Sequence, residues 1–392
     1  MAARVLICGI GIAGPTLAWW LERRGFEVTL LERAPALRDS GYMVDFWGPG
    51  FDVAERMGLL PRLQQESYAI EEVRFVNERG RRVGGFRSEA FRAALDTRLL
   101  SIPRGELAQL LFESLPAGVE VIFGDSVREL QDLGAAVRVQ FEHAAPRTFD
   151  LVVGADGQHS GIRALAFGPE ATFERRLGYF VASFDARGYA HRDEGTFVGF
   201  CIPGRQVARY SLRGDRTGFF FMFREDLVAQ TPCPEPGECL RRLFGREGWE
   251  CTAILDQLES VQDLYFDSVS QIRLPGWSCG RIGLVGDAAF APSVLAGEGS
   301  SFAMTAAYVL AGELARAPGE YELAFDRYER ELRGLVVPKQ ESALHMGARF
   351  APRTRLGIAL RNRISRWLDV PWVGHLALRG LTAKGWRLPA YH

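Results

Sequence analysis

Residues 5–32 read VLICGIGIAGPTLAWWLERRGFEVTLLE, and this stretch decides the fold. Val5, Leu6, Ile7 and Cys8 form an apolar run of the kind found in a strand covered on both faces. Gly9, Gly11 and Gly14 follow in G-x-G-x-x-G spacing, and a helix-period segment runs on to Arg24. Gly25 stops that helix, and Val28–Leu31 is a second apolar strand ending in Glu32. Strand, glycine turn, helix and strand in this order make a βαβ unit with a dinucleotide fingerprint. The first glycine permits the tight turn, the second lets a pyrophosphate approach the backbone, and the third lets helix and strand pack closely. The pyrophosphate would sit on a helix N-terminus, where unpaired N–H groups carry partial positive charge. Glu32, about 20 residues on, stands where it would accept from a ribose hydroxyl.

Working outward, a chain of 392 residues suggests two domains. A net charge of −1 argues against a nucleic-acid binder that depends on bulk positive charge. No apolar run reaches the ~18 residues that span a bilayer, and the N-terminal residues already belong to the first strand. The six cysteines are scattered without a CxxC, and the six histidines form no ligand cluster. Reduced thiols in a cytoplasmic protein and no metal site are the expectation. Of the basic residues only Lys339 and Lys384 are lysines, which reads as coding bias.

Further along, a loop through Pro35 and Gly41 leads by Tyr42–Phe46 to a short helix over Phe51–Met57. Residues 70–77 and 81–87 read as an antiparallel hairpin around Arg79-Gly80. A helix follows over Gly105–Leu115, then strands at Val119–Phe123, Ala136–Phe141 and Leu151–Val153. Between Tyr179 and Phe223 short alternating segments with glycine turns suggest an antiparallel sheet bearing eight phenylalanines. Both sides of the run Phe219–Phe223 are apolar, so both should be covered, one by helices and the other by the nucleotide domain or an aromatic ligand. Residues 226–265 look helical. Ile282–Val285 is another buried strand, with helices at Ser300–Leu314 and Tyr321–Val337.

Two more motifs close the pattern. Asp156-Gly157-Gln158-His159-Ser160-Gly161-Ile162-Arg163 follows a strand; a carboxylate there can hold ribityl or ribose hydroxyls, and Arg163 offers fixed donors. Gly286-Asp287 ends the last strand, and Gly297-Glu298-Gly299 opens a helix whose N-terminus suits the pyrimidine end of a flavin.

With these three motifs, the chain resembles the FAD-dependent aromatic monooxygenases of the para-hydroxybenzoate hydroxylase type, in their tetracycline-inactivating branch, over nearly its whole length. The resemblance implies an α/β fold. A Rossmann-like FAD-binding domain of GR2 type, at residues 1–70, 98–176 and 268–338, would interleave with an antiparallel-sheet substrate domain at 71–97 and 177–267. A C-terminal helical segment would occupy 339–392. FAD would be held by Gly9, Gly11, Ile12, Ala13, Gly14, Glu32, Arg33, Arg104, Val127, Asp156, Arg163, Gly286, Asp287, Gly297, Gly299 and Ser300. With only one G-x-G-x-x-G, NADPH or NADH would act as a transient reductant. The family forms a flavin C4a-hydroperoxide from O2 and hydroxylates an electron-rich aromatic or polycyclic metabolite, as in antibiotic and other secondary metabolism.

Substrate is expected against Asp45, Phe184, Phe200, Tyr210, Phe221, Phe223 and Pro292, with Trp47 near the flavin ring. Glu298 is the candidate catalytic residue, a buried base or orienter; its bland alternative is a solvent-facing acid at a helix N-terminus. The chain departs from the family at Phe290, where a histidine is usual, at Val294 in place of proline, at Ser301 in place of asparagine, and at Ala306 in place of an acid. An FAD oxidase or dehydrogenase of the same fold, or a flavoprotein that sequesters a ligand, are the competing functions. A monomer or homodimer is expected. The segment Arg349–His392 carries Trp367, Trp372 and Trp386 and nine Arg or Lys against one Asp. It reads either as a basic amphipathic helix for an anionic membrane or, more simply, as a helix packed across both domains.

Overall fold

The computed structural model describes residues 2–37, 41–89, 98–230, 233–261, 263–369 and 386–391. β1 (Arg4–Cys8) and β2 (Glu27–Glu32) lie parallel, joined by the helix Ala13–Glu22. With β7 (Glu120–Phe123), β11 (Leu151–Gly154), β17 (Ser278–Cys279) and β18 (Ile282–Leu284) they form one sheet in the order β17-β18-β11-β1-β2-β7. Every pair is parallel except the β17–β18 hairpin. Val5, Leu6, Ile7, Leu151, Val152 and Val153 are fully buried, in a core shared with Leu17 and Leu21 of the helix Ala13–Glu22 and with Val137, Val139 and Phe149. The helix Gly299–Arg316 packs against Ala13–Glu22, and the helix Pro49–Arg56 packs on it in turn.

The second large sheet holds β4 (Glu72–Val76), β5 (Arg82–Arg87), β12 (Glu174–Arg187), β13 (Thr196–Ile202), β14 (Arg205–Leu212), β15 (Arg216–Arg224) and β16 (Tyr265–Ile272). Its order is β16-β12-β15-β14-β13-β4-β5. The sheet is antiparallel except where β4 joins β13 in parallel, so the hairpin at 70–87 is an edge extension of the aromatic sheet. β12 and β16 run across the boundaries expected at 176 and 267. Its outer face is covered by the helices Pro236–Phe244 and Cys251–Asp256, packed through Leu240, Phe244 and Ile254.

Two small sheets complete the architecture. β3 (Met43–Trp47) pairs antiparallel with β6 (Leu99–Pro103). β8 (Val127–Asp132), with β9 (Val137–Phe141) and β10 (Arg147–Phe149), makes a three-stranded sheet. The helix Tyr321–Ala343 runs six residues beyond its expected end, past Pro338. Of the C-terminal segment, residues 339–369, with the helix Arg355–Ser365, and residues 386–391 are described, while Trp372 lies outside the described residues. Among the described residues no helix is long and apolar enough to cross a membrane.

Candidate functional site

The parallel strands β18, β11, β1 and β2 all end at one edge, and the motifs line up along it. At Gly9, φ is +109°, and a Cβ would lie 2.5 Å from the Ala155 carbonyl oxygen. A Cβ on Gly14 would lie 1.9 Å from the Gly9 carbonyl oxygen. Both glycines are therefore required by packing. Gly11 is different: nothing lies within 4 Å of its would-be Cβ. Its would-be side chain points into open space. Glu32 closes the turn by accepting from Ile10 N at 3.0 Å and Ala34 N at 3.0 Å. Arg33 beside it is exposed, and Val127 is half-buried at the start of β8.

Asp156 sits at the end of β11. Its oxygens accept from Ser160 Oγ at 2.5 Å and Ile162 N at 3.1 Å, so the carboxylate caps the helix Gly161–Ala166. Burial raises its carboxyl above the usual range, opposed by those donors. Burial also pushes the Cys8 thiol up, and the Asp156 and Glu32 carboxylates add to the push, which shows both acids converging on the end of β1. Asp287 follows β18 after Gly286, whose φ is +65° and whose Cβ would meet Ala13 Cβ at 3.1 Å. Burial raises the Asp287 carboxyl too, with Arg104 opposing. Desolvation lowers Arg104, but Tyr42, Asp287 and Tyr265 outweigh it and hold the guanidinium charged. Arg104 and Asp287 feel each other's charge without a salt bridge among the described residues.

Arg163 requires a correction. It is fully buried, and its guanidinium donates to Ala288 O at 3.0 Å, Gln158 O at 2.6 Å and Glu170 Oε2 at 2.6 Å. Its two terminal nitrogens brace the Asp156 loop to the Asp287 loop, while its Nε is buried without a hydrogen-bond partner among the described residues.

The turn after Asp287 is held from behind by residues that the sequence reading passed over. Gln340 Nε2 donates to Ile272 O, Phe290 O and Ala291 O at 2.9, 3.0 and 3.3 Å. Gln271 Nε2 donates to Pro292 O at 3.2 Å and Gln340 O at 2.7 Å. Ser293 carries φ +85°, a strained value for a non-glycine. Pro292 is buried among these bonds. Phe290 packs its ring 4.6 Å from Trp277 in the core, so it does not reach the site. Val294 lies against the interdomain cluster of Val181, Met222 and Leu295.

Glu298 is only 3% exposed, which rules out the solvent-facing alternative. It forms an ion pair with Lys339, whose presence the sequence alone ascribes to coding bias. The Lys339 ammonium also lies 5.2 Å from the ring centroid of Trp47. Burial pushes Lys339 down to about 8. The signal was present: a lysine after Pro338 in a chain that otherwise uses arginine. Lysine supplies a compact charge whose titration responds to burial, which guanidinium does not. Beside this pair, Gly50 N donates to Ser301 Oγ at 2.9 Å, and a Cβ on Gly50 would lie 2.5 Å from Ser301 Cα. Ser301 thus docks the start of one helix onto another. Nothing lies within 4 Å of a Cβ at Gly297 or Gly299, so this turn, like Gly11, faces open space. Ser300 follows, half-buried.

The facing wall comes from the second sheet, and here the expectation chose the wrong side of the strands. Phe221 and Phe223 touch Phe244 of the outer helices at 5.1 and 6.1 Å, and Phe184 stacks on Phe221 at 5.9 Å. Phe200 packs on Trp249 at 5.9 Å. These four phenylalanines are core of the sheet–helix layer. The alternate residues face the motifs. Tyr42 lies 6.0 Å from Phe220 and 5.7 Å from Tyr265. Tyr210, correctly placed on this side, covers Gly218, stacks on Phe197 and accepts from Met43 N at 3.1 Å. Asp45 is exposed and accepts from Ser101 Oγ at 2.6 Å.

The arrangement can hold a flavin dinucleotide. Gly11 and the Ala13–Glu22 N-terminus suit the pyrophosphate, Glu32 and Arg33 the adenosine, Asp287 and Arg104 the hydroxylated linker, and the Gly297–Gly299 turn the ring. The three open glycine positions fit such an occupant. A family model described as an FAD binding domain matches residues 2–336. An uncharacterized protein of Mycobacterium tuberculosis is 38% identical over 355 residues, covering 86% of this chain and 91% of that one. A flavin-dependent monooxygenase of Legionella longbeachae is 32% identical, covering 88% of this chain and 89% of that one. Among solved structures, the tetracycline destructase Tet(51) superposes with a TM-score of 0.84 at 29% identity over 100% of both chains.

Proposed function

This chain belongs to the FAD-binding-domain family and is a flavin-dependent monooxygenase, and from that premise we propose that it hydroxylates an aromatic or polycyclic small molecule with NADPH or NADH as reductant. The observation that carries the reading is the wall of Tyr42, Tyr265 and Phe220 opposite the Asp287 and Gly297–Gly299 turns. Aromatic faces at that place bind a flat substrate by stacking. They also exclude water, which protects the oxidising equivalent from being wasted. Bound FAD supplies the activation of O2; the chain supplies position and dryness. Asp156, Asp287, Arg104 and Glu32 orient the cofactor. Glu298, neutralised by Lys339, holds its turn in place and stands ready to orient a proton at the substrate. Similarity to a tetracycline destructase supports a fused-ring phenolic substrate and a role in making or inactivating a secondary metabolite.

The test is NADPH oxidation by the flavin-loaded protein with a panel of fused-ring phenols, following oxygen uptake, hydrogen peroxide and product mass together. We expect a compound that stimulates NADPH oxidation and leaves with one added oxygen atom per NADPH consumed. Recovery of all consumed oxygen as peroxide with every compound would instead make the protein an oxidase.

A further inference from the structure

The helix Arg355–Ser365 is turned inside out relative to its own composition. Its buried residues are the polar Asn362 and Ser365. Ser365 Oγ accepts from Gly85 N at 2.8 Å. Asn362 lies so close to β5 that a Cβ on Gly84 would meet its Cα at 2.9 Å. The Gly84-Gly85 pair is thus a seat cut for the polar side of this helix. Outward, Leu356, Leu360 and Ile364 are 80%, 57% and 55% exposed, and Trp367 in the next turn is 58% exposed. At about 100° per residue these four positions fall in one stripe along the helix. Phe350, just ahead of the helix, is also exposed.

Charge decides what covers the stripe. From Ser342 to Leu368 the chain carries six arginines and no aspartate or glutamate. Arg361 is committed to the fold, lying over the Phe75 ring and donating to Gln206 Oε1 at 2.9 Å. Arg353, Arg355, Arg363 and Arg366 are exposed along the border of the stripe; Arg366 also donates to Val83 O at 2.9 Å, and Arg353 lies near enough to Asp226 to lower its carboxyl. An apolar stripe ending in an exposed tryptophan, in a stretch of six arginines without an aspartate or glutamate of its own, matches a surface that offers acyl chains beneath a sheet of negative charge. A protein partner would need acids placed against Arg355 and Arg363, whereas a layer of lipid phosphates meets them wherever they lie.

We propose that the Arg355–Ser365 face docks the protein on the anionic surface of a lipid bilayer, lying in the headgroup plane without crossing it. Leu356, Leu360, Ile364 and Trp367 enter the acyl boundary, and Arg353, Arg355, Arg363 and Arg366 meet the lipid phosphates. The stripe belongs to neither the flavin turn nor the aromatic wall, so the proposal stands or falls apart from the substrate reading.

The experiment is co-sedimentation of the full-length, flavin-loaded protein with vesicles of phosphatidylcholine alone and of phosphatidylcholine mixed with phosphatidylglycerol. Binding to the mixed vesicles should exceed binding to neutral ones by at least about tenfold at ~0.1 M salt, and most of it should be released near 0.5 M salt, where surface charge is screened to a few ångströms. The double substitution Leu360→Asp with Ile364→Asp should cut binding about tenfold, with flavin content and melting transition unchanged because both side chains are exposed. Arg355→Glu with Arg363→Glu should abolish the preference for anionic vesicles. Failure to bind either vesicle, or equal binding to both, overturns the proposal. A dimer that Leu360→Asp with Ile364→Asp dissociates would make a second copy the occupant and overturn it as well.

Discussion

The three glycines of the opening turn are alike in spelling and unlike in what they do. Gly9 and Gly14 are fixed by protein atoms, so Gly9→Ala should cost several kcal/mol of stability and much of the folded yield. Gly11→Ala meets no protein atom, so the apoprotein should melt as wild type does while FAD affinity falls about tenfold or more. Fluorescence titration of the apoprotein with FAD, beside its melting curve, separates the two. If Gly11→Ala binds FAD normally, the pyrophosphate does not lie there. The Glu298–Lys339 pair makes a second prediction at this scale. Removing one member strands a buried charge, so Lys339→Met should lose roughly 3 kcal/mol. Lys339→Met combined with Glu298→Gln should recover most of that. Urea titration of the four proteins measures the coupling, and simple additivity would show that the pair does not act as one unit.

Single strands carry two different jobs, one on each side. On β15, Phe221 is core, and its truncation to alanine should cost about 3–5 kcal/mol. Phe220 is half-buried beside Tyr42; Phe220→Ala should leave folding nearly intact and raise the substrate KM. A melting curve and steady-state kinetics on both variants check the assignment, and an exchange of the two effects would reverse the facing. The Asp156 loop and the aromatic sheet are linked by His159, which bonds Asp267 Oδ2 at 3.0 Å and Glu170 Oε1 at 2.8 Å. The bond to Asp267, then that to Glu170, raises the imidazole to about 9. A histidine raised in the folded state stabilises fully below its unfolded value near 6.5, and that stabilisation disappears as pH rises through 9. Because His159 is half exposed, the effect should be only about 1 kcal/mol. His159→Gln should therefore be less stable than wild type near pH 6 and equal to it above about pH 10. A stability deficit independent of pH would show that packing, not charge, is what His159 supplies.

Across the whole molecule the chain closes on its own beginning. Pro389 O accepts from Arg56 Nη1 at 2.8 Å and Tyr308 Oη at 2.9 Å, and Tyr391 Oη bonds Glu313 at 2.8 Å. The Tyr391 ring occupies the place where Gly312 has no side chain, 2.3 Å from its would-be Cβ. Ending the chain before Trp386 should lower stability by roughly 3 kcal/mol through the lost aromatic packing, read as a shifted urea midpoint at nearly unchanged slope. The same scale explains what was legible beforehand. Local rules wrote the strand ends: G-x-G-x-x-G, Asp156-Gly157 and Gly286-Asp287 each interrupt an apolar run, and a parallel sheet must bring such ends to one edge. Sequence by itself therefore determined the fold class and the cofactor family. Which side of an all-apolar strand faces the ligand was not written locally, because Phe219–Phe223 is apolar on both faces and only the packing of Phe244 on one and Tyr42 on the other distinguishes them. The fate of Arg163, whose motif spacing suits a ligand donor, was settled in part by the Ala288 carbonyl 125 residues away. Lys339 and Glu298, 41 positions apart in sequence, meet only because the helix Tyr321–Ala343 runs back across the flavin turn. Tertiary structure decided these, since a buried charge or ring takes its role from whatever the fold places against it.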